Sequence, residues 1–345
     1  MYWGPSWEGG HMSAATDTRS TVWHFAEGST KNAFFDNYFL VFNPSKDTSA
    51  NVTIQFYGTS GGILATQTFT VPPQARHTVA ANAVPEIGNS DFSTTITSSI
   101  PVVAERSMYW GNGWTGGTNS FGATQTSPTW LFAEGAAARS FDTYYTILNP
   151  TSAGVTVDVT YMGPSGPFAT RSYTAPPNSR ATIWLTREVG LVGAVGAEFH
   201  ARDNAGIVVE RSIYWGGSGW VEGTNALGVT APAATWHLPE GTTLGSFETY
   251  VLVSNPNDQP VIVQVTTILD AGAIIPTNFN IAAHGRLTLL MNDTALFPSL
   301  GKRSFATRVD CMTQGLKVVA EHALYWNWTA TDYWRGGSAS AGIPR

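Results

Sequence analysis

The stretch MYWGNGWTGGTNSFGATQTSPTWLFAEG, residues 108–135, occurs in three variants along this 345-residue chain. The other two are MYWGPSWEGGHMSAATDTRSTVWHFAEG at residues 1–28 and IYWGGSGWVEGTNALGVTAPAATWHLPEG at residues 213–241. Similarity that returns at a near-constant spacing is the signature of a repeated structural unit. The chain is therefore predicted to contain three homologous units.

Two further motifs follow each copy at matching distances. They are a Phe-Asp/Glu-x-Tyr segment and an Asn-Pro pair, which begin at Phe35, Phe141 and Phe247 and at Asn43, Asn149 and Asn255. The predicted domains are repeat 1 at 1–107, with a joint segment at 1–22, repeat 2 at 108–212, repeat 3 at 213–323, and a partial fourth joint segment at 324–345. Because Met1 aligns with Met108, which lies inside a predicted strand, the chain is expected to be a piece of a longer or processed protein.

Within each unit, apolar and polar residues alternate with a period of two. The pattern is clearest in Val52–Tyr57, Val155–Tyr161 and Val261–Thr266, and it is typical of half-buried β-strands. About seven such runs per unit, separated by Gly, Pro and Asn turns, match the strand density of a two-sheet sandwich. We predict an all-β protein of three tandem two-sheet β-sandwich domains, Ig-like or jelly-roll-like, joined by Gly/Trp-rich joints.

The joints are short, so the domains are expected to form a semi-rigid rod. The last full strand, Val318–Trp326, is predicted to be unpaired. An unpaired strand offers its backbone groups to a neighbouring sheet. This predicts possible end-to-end assembly by strand addition.

Composition excludes several classes of function. The net charge is -6, and no block of Lys or Arg is present that would neutralise a row of phosphates, so no nucleic-acid partner is expected. No apolar run approaches the roughly 18 residues of a membrane helix, so this segment is not expected to insert into a membrane. Cys311 is the only cysteine, which excludes an intrachain disulfide, and it is predicted to be a buried thiol on a strand.

Acidic residues recur at the same positions of the three units. Glu27, Glu134 and Glu240 lie in the Ala/Pro-Glu-Gly turns, and Asp36, Asp142 and Glu248 follow them. Paired carboxylates are the machinery of glycosidases. Three identical active sites in one short chain would be unusual, so we predict no enzyme activity and a turn-stabilising role for the glutamates.

A second set of glutamates lies on the last strand of each unit: Glu105, Glu210 and Glu321. The basic residue that follows each of them points to the opposite face of the strand. The glutamates are therefore predicted to meet a partner on another strand or another domain. The histidines do not recur at ligand spacing, so no metal and no cofactor is predicted.

Polar loops raise two further alternatives. The loop Asn255–Asp258 is predicted to form an Asx-type turn, with calcium binding as the weaker alternative. The acceptor pattern Asn-x-Ser/Thr marks three possible glycosylation sites, at Asn51, Asn292 and Asn327.

Tryptophans concentrate in the joints, and four of them occupy one repeated position: Trp7, Trp114, Trp220 and Trp334. Exposed indole rings are platforms for sugars, which makes these four the candidate ligand residues of a carbohydrate-binding site. Rings flanked by glycine also fold over and wedge two domains together. We favour the structural role.

The turn Trp-x-Phe-Ala-Glu-Gly, the Phe-Asp-Thr-Tyr segment, the Asn-Pro pair and the strand Glu-Arg-x-Met-Tyr-Trp together resemble the tandem β-sandwich repeats of secreted and surface-anchored prokaryotic proteins. The resemblance covers the whole chain and implies an extracellular or cell-surface location. The predicted function is that of a structural protein, a stalk, surface layer or filament subunit, whose partners are further copies of itself or neighbouring domains. The alternatives are an adhesin that binds surface glycans and accessory domains of a larger secreted protein.

Overall fold

The computed structural model describes residues 2–3, 9–11, 16–137, 141–188, 193–272, 274–328 and 334–345. It confirms an all-β protein made of several antiparallel sheets. Trp7 lies outside the described residues.

The strands follow the order of the sequence repeats. The first group is β1 (Tyr2–Trp3), β2 (Gly9–Gly10), β3 (Ser20–Phe25), β4 (Phe35–Asn43), β5 (Ala50–Gly58), β6 (Ile63–Val71), β7 (Ala75–Ala80), β8 (Phe92–Trp110) and β9 (Gly116–Phe121). The second is β10 (Thr129–Phe132), β11 (Ala136–Ala137), β12 (Asp142–Asn149), β13 (Val155–Gly163), β14 (Gly166–Ala175), β15 (Ser179–Trp184), β16 (Gly193–Ala194), β17 (Gly196–Ala201), β18 (Val208–Trp215) and β19 (Glu222–Leu227). The third is β20 (Thr235–Leu238), β21 (Glu248–Ser254), β22 (Val261–Leu269), β23 (Ile274–Ile281), β24 (Arg286–Leu290), β25 (Phe305–Cys311), β26 (Val319–Trp328), β27 (Trp334–Ala341) and β28 (Ile343–Pro344).

Helical structure in the described ranges is limited to single turns. One α-helical turn, α1 (Leu185–Glu188), follows β15. The 3₁₀ turns are Lys31–Ala33, Ala81–Ala83, Arg202–Asn204, Gly217–Gly219 and Asp270–Gly272.

Each repeat contributes two antiparallel sheets with the same strand order. In repeat 2 these are β10-β17-β13-β14 and β15-β12-β18-β19. Repeat 3 reproduces both orders and adds β28 beside β20. In repeat 1 the long strand β8 serves both sheets, because its first half pairs with β3 and β5 and its second half with β4 and β9.

Alternating residues from both sheets of a repeat fill one apolar cluster. Phe39, Ile54 and Ile96 are fully buried in the cluster of repeat 1. The clusters of repeats 2 and 3 also consist of aliphatic and aromatic side chains, and each includes a few residues of the preceding repeat. The period-two pattern of the sequence thus places its apolar face in these cores.

The joint hairpin belongs to the sheet of the unit that precedes it. After Trp110 the chain turns through Gly111, which has a left-handed backbone with φ 83°, and returns as β9 along β8. The hairpins β18–β19 and β26–β27 repeat this arrangement. The structural body therefore ends one hairpin later than the unit read from the sequence.

The prediction that Val318–Trp326 is unpaired is wrong. The corresponding strand, β26, lies between β21 and β27 and is hydrogen-bonded on both sides. The Gly-Gly segment after the joint supplies the second partner, because residues without side chains fit against the aromatic rings of β26.

The three repeats do not follow one another as a rod. The strands β2, β9, β19 and β27 meet around a common axis: β19 packs against β9 and β27, and β2 packs against the same two strands from the other side. Hydroxyl groups link neighbouring strands, since Asn225 N donates to Thr118 Oγ1 at 3.2 Å and Ala339 N to Thr224 Oγ1 at 3.3 Å. The expected rod is thus replaced by an arc of repeats around four central strands.

The Asn-Pro turns have the Asx geometry predicted for Asn255. Asn257 N donates to Asn255 Oδ1 at 3.0 Å, and the amide of the buried Asn255 donates to the carbonyls of Gln259 and Ala282. Asn149 makes the equivalent bonds. Cys311 lies at the end of a strand as predicted, but it is half-buried. Its position at the strand end leaves one side open.

Candidate functional site: the junctions between repeats

The last strands of successive repeats are linked by buried ion pairs. Arg106 of repeat 1 donates from Nη1 to Glu210 Oε2 of repeat 2 at 2.7 Å, and both side chains are 0% exposed. The guanidinium also donates to the Glu27 carbonyl at 2.7 Å and to Asn225 Oδ1 at 2.6 Å. Ser120 Oγ accepts a further bond at 2.7 Å. A buried charge with this many partners is fixed in both position and direction.

The junction of repeats 2 and 3 has the same pair. Arg211 donates from Nη1 to Glu321 Oε2 at 2.7 Å and to the Glu134 carbonyl at 2.8 Å. Among the described residues its Nε and Nη2 have no partner, because Ala226 and Ala339 stand where the junction of repeats 1 and 2 has Ser120 and Asn225. This junction is therefore less completely hydrogen-bonded.

Each carboxylate of these pairs also binds the Glu-Gly turn of the preceding repeat. Glu210 Oε1 accepts from Ala26 N at 3.1 Å, and Glu321 Oε1 accepts from Ala133 N at 2.8 Å. One side chain therefore links a guanidinium and a backbone turn across the junction.

A second ion pair connects the turn glutamates to the next repeat. Arg180 of repeat 2 meets Glu27 of repeat 1 at 2.9 Å, and Arg286 of repeat 3 meets Glu134 of repeat 2 at 3.1 Å. All four side chains are buried. Burial raises the pKa of Glu134, an effect opposed by the charges of Arg286 and Arg211.

The turn glutamate also stabilises its own turn. Glu27 Oε1 accepts from Gly28 N at 2.9 Å, and Oε2 accepts from Ser212 Oγ at 3.0 Å. Glu240 has no such junction, because it is exposed on repeat 3. The three glutamates thus share a sequence position and differ in environment.

The joint tryptophans wedge between repeats. Trp220 stacks on Tyr214 at 4.6 Å and meets Phe35 of repeat 1 and Tyr144 of repeat 2 at 6.1 and 5.7 Å between ring centroids. Its carbonyl accepts from Trp110 Nε1 at 2.7 Å. Large aromatic rings contribute most when both faces are covered.

The next wedge repeats this arrangement with another set of rings. Trp334 packs on Tyr325 at 4.8 Å and on Phe141 of repeat 2 at 5.7 Å, and its carbonyl accepts from Trp215 Nε1 at 2.9 Å. By contrast, Trp114 stacks on Tyr109 of its own repeat and remains 50% exposed. Of the three described tryptophans at this position, Trp114 alone resembles the predicted sugar platform.

The second acids of the repeats bond to these indoles or to a tyrosine. Asp36 accepts from Trp114 Nε1 at 2.6 Å, and Asp142 accepts from Trp220 Nε1 at 2.9 Å. Glu248 accepts from the Tyr250 hydroxyl at 2.8 Å. Asp142 and Glu248 thus orient rings beside a junction, whereas Asp36 orients the exposed ring of Trp114.

Two clefts open beside the ion pairs. The first, of about 290 Å³, lies between repeats 1 and 2 and is lined by Glu27, Lys31, Tyr144, Trp184 and Trp220 among others. The second, of about 130 Å³, lies between repeats 2 and 3 and is lined by Glu134, Tyr250, Arg286 and Trp334 among others. Both combine aromatic rings with charged groups.

The glycosylation candidates lie in different settings. Asn51 is exposed, and its Oδ1 accepts from Thr70 Oγ1 at 3.0 Å. Asn292 is half-buried and uses both ends of its amide, with Phe247 and Thr249 as partners. Asn327 Oδ1 accepts from Ser246 Oγ at 2.7 Å. The amide nitrogen of Asn51 is the most accessible of the three to a modifying enzyme.

Sequence reasoning missed the arginines of the second ion pair. Arg76, Arg180 and Arg286 occupy one position of the repeat, four residues after Pro72, Pro176 and Ala282. A basic residue that recurs at a fixed offset in a chain poor in charge was the available signal. In the described ranges no group of three or more His, Cys, Asp or Glu residues is placed to hold a metal. No helix in those ranges is long and apolar enough to cross a bilayer.

Comparisons with known proteins give limited likeness. No family model matches the chain, and no curated protein matches it. The solved structure of Thermotoga maritima 1070 is similar over 33% of this chain and 96% of its own, with 13% identity and a TM-score of 0.27. The Anabaena sensory rhodopsin transducer is similar over 26% and 97%, with 22% identity and a TM-score of 0.22.

A tetra-tandem repeat in the extending region of a large adhesion protein is similar over 87% of this chain and 68% of its own. Its identity is 12% and its TM-score is 0.13. Likenesses at these TM-scores say nothing about what this chain does.

Proposed function

We propose that this chain is a non-catalytic, extracellular structural protein, a subunit of a stalk, surface layer or filament. In this proposal each repeat is one sandwich domain, and the three domains act as a single rigid block. The observation that carries it is the pair of junctions, each with two buried Arg–Glu contacts and an aromatic wedge. A protein that transmits force or holds a fixed spacing needs domains that do not swing relative to one another.

The two kinds of contact contribute differently. Buried ion pairs add little net stability, because desolvation offsets most of the attraction, but breaking one partner is costly. They therefore favour one arrangement of the repeats over all others. The wedges around Trp220 and Trp334 remove large apolar rings from water and supply the favourable free energy.

The extracellular location is supported by the resemblance to secreted and surface-anchored repeats alone. Assembly into a polymer would use edges other than β26, which is paired on both sides. The strands β6, β14 and β23 each lie at the outer edge of a sheet. Pro167 in β14 and Pro276 in β23 remove a backbone donor, so β6 is the best candidate for strand addition.

Electron microscopy of the native material, combined with sedimentation velocity over a wide range of protein concentration, tests this proposal. We expect ordered filaments, arrays or stalks, and a sedimentation coefficient that rises with concentration. A protein that stays monomeric and shows no ordered assembly in native material would contradict the subunit role.

A carbohydrate-binding function is the second candidate. The aromatic cleft between repeats 1 and 2 favours it, since Trp184 lies there with Arg187 stacked 3.6 Å above its ring. The test is a glycan array with the unmodified chain, the variant Trp184→Ala and the control variant Trp328→Ala. Binding that is lost in the first variant and kept in the second would establish the cleft as a sugar site. No binding to any glycan would remove this candidate.

A further inference from the structure

Four joint hairpins surround the central axis, but the described structure contains repeat bodies for only three of them. The strands β19 and β27 are each the edge strand of a four-stranded sheet, and β9 pairs with β8 in the seven-stranded sheet of repeat 1. Among the described strands, the fourth central strand, β2, pairs with β1 alone. It nevertheless packs against β9 and β27, the positions that a fourth repeat of the ring would touch.

His11, directly after β2, completes the hydrogen-bond pattern of the axis. It occupies the repeat position of Thr118 and Thr224, and its Nδ1 lies 3.2 Å from Thr118 Oγ1. Its ring is also hydrogen-bonded to the backbone of Asn119, and the Thr118 hydroxyl accepts from the backbone N–H of Asn225 at the corresponding place. The first hairpin therefore holds the fourth position around the axis.

Repeat 1 exposes a face that the other two repeats bury. Phe42 is 42% exposed, whereas its counterparts Leu148 and Ser254 are fully buried at junctions. Trp114 is 50% exposed, and its counterpart Trp220 is wedged against the preceding repeat. Two large apolar side chains whose counterparts are covered in the other repeats are thus exposed on repeat 1.

This face of repeat 1 also has the charged residues that form ion pairs at the two junctions, but here they do not face another repeat in the described structure. Arg76 holds the position of Arg180 and Arg286, but it is exposed and donates only to Thr78 among the described residues. Glu105 holds the position of the buried Glu210, but it is half-buried and accepts from Asn119 of its own repeat.

Repeat 3 exposes the complementary half of a junction. Glu240 is exposed, whereas its counterparts Glu27 and Glu134 are buried and paired with arginine. His322 takes the place of Arg106 and bonds to the Glu240 carbonyl at 3.1 Å and to Ser340 Oγ at 2.9 Å. No carboxylate from a following repeat reaches His322 in the described structure.

We propose that the gap between repeats 1 and 3 is an interaction surface for a fourth body of the same repeat type, joined to β1. Such a body brings a turn glutamate to Arg76, an arginine to Glu105 and a second arginine to Glu240, and it covers Phe42 and Trp114. The occupant is identified by this chemistry, because repeat 1 has the Arg76 and Glu105 charges of the paired junctions, and repeat 3 has the turn glutamate Glu240, with His322 in place of the arginine.

A chain extended by one repeat tests the proposal. Residues 123–212 are fused directly ahead of Met1, so that the last strand of the added body runs into β1 in the register of Ile213-Tyr214-Trp215. Oxidative footprinting with mass spectrometry measures the labelling of Trp114 in the original and extended chains. We expect a several-fold loss of labelling in the extended chain, because the added body covers this ring.

Charge variants separate docking from mere proximity. Arg76→Glu is expected to restore the labelling of Trp114 in the extended chain and to leave the original chain unchanged. Arg171→Glu, a matched change at an exposed position of repeat 2, is expected to have no effect in either chain. Equal labelling of Trp114 in the original and extended chains overturns the proposal, and so does protection that Arg76→Glu does not disturb.

A second extended chain guards against a poorly folding copy. It carries residues 16–107 ahead of Met1, and circular dichroism reports whether strand content rises in proportion to the added length. If both added bodies stay unfolded, or fold and leave Trp114 labelled, the gap is not a surface for this repeat.

Discussion

The ion pair between Arg211 and Glu321 offers the sharpest test of the junctions. Glu321 is 2% exposed and accepts from both Arg211 Nη1 and Ala133 N. In the variant Glu321→Gln the guanidinium keeps its charge but loses its nearest counter-charge. Removing one partner of a buried pair typically costs about 3 to 5 kcal/mol. We expect a loss in that range, because two nitrogens of Arg211 already lack partners in the part of the chain that the structure describes.

Glu105→Gln is the matched control. It makes the same chemical change at the same repeat position, on a half-buried residue whose bond comes from its own repeat. We expect a change within about 0.5 kcal/mol, as for most surface substitutions. Urea unfolding, followed by tryptophan fluorescence and far-ultraviolet circular dichroism, measures the stability of both variants. The dependence of the unfolding free energy on urea concentration is compared with that of the unmodified chain, because a lower value indicates a loss of cooperativity.

The double variant Arg211→Leu with Glu321→Leu removes both members of the pair. Replacing both members of a buried pair by apolar groups is often neutral or stabilising, so the double variant is expected to be more stable than Glu321→Gln. Equal losses for Glu321→Gln and Glu105→Gln would refute the claim that the junction depends on this pair. So would a loss below about 1 kcal/mol for Glu321→Gln.

Three further outcomes are expected. The Asn149 amide nitrogen donates to three carbonyl groups, and in Asn149→Asp a carboxylate oxygen faces the same three groups. Urea unfolding should show that the free energy of unfolding falls by about 3 kcal/mol or more. Burial lowers the pKa of His24 from 6.5 to about 4. As the pH falls from 6.5 to about 4, His24 is therefore protonated in the unfolded chain before it is protonated in the folded one. The free energy of unfolding drops by up to ~3 kcal/mol over this range. His24→Leu, the residue that repeat 2 has at Leu131, should remove that part of the pH dependence in thermal scans at pH values from 7 to 4. Ala226→Ser should add a hydrogen bond to Arg211 and raise the unfolding free energy by about 1 kcal/mol.

Local patterns predicted the strands well, because alternation and turn residues act over a few neighbours. Phe305–Cys311 has the predicted bounds, and the Asx turn at Asn255 has the predicted bond. The all-β class follows from the same short-range signals.

The arrangement of the repeats in an arc could not be predicted from the sequence, for a physical reason. Whether Glu210 meets Arg106 depends on the angle between two repeats, which is set by contacts between residues far apart in the chain. The Gly-rich joint resembled a linker in the sequence, because its own residues do not show that it pairs with β8. Glycine at Gly116 and Gly117 instead makes room for the rings of Trp110 and Tyr109.

The junctions have a direction that matters for how such a chain lengthens. At each one the earlier repeat gives an arginine from its last strand and the later repeat gives the carboxylate, while the second pair runs the opposite way. Repeats 1 and 2 therefore carry both halves of their own interface, and repeat 3 departs from this only at His322. A duplicated repeat is therefore complementary to its neighbours without any change in its side chains. The number of repeats in one ring is limited by the rotation from each repeat to the next about the shared axis.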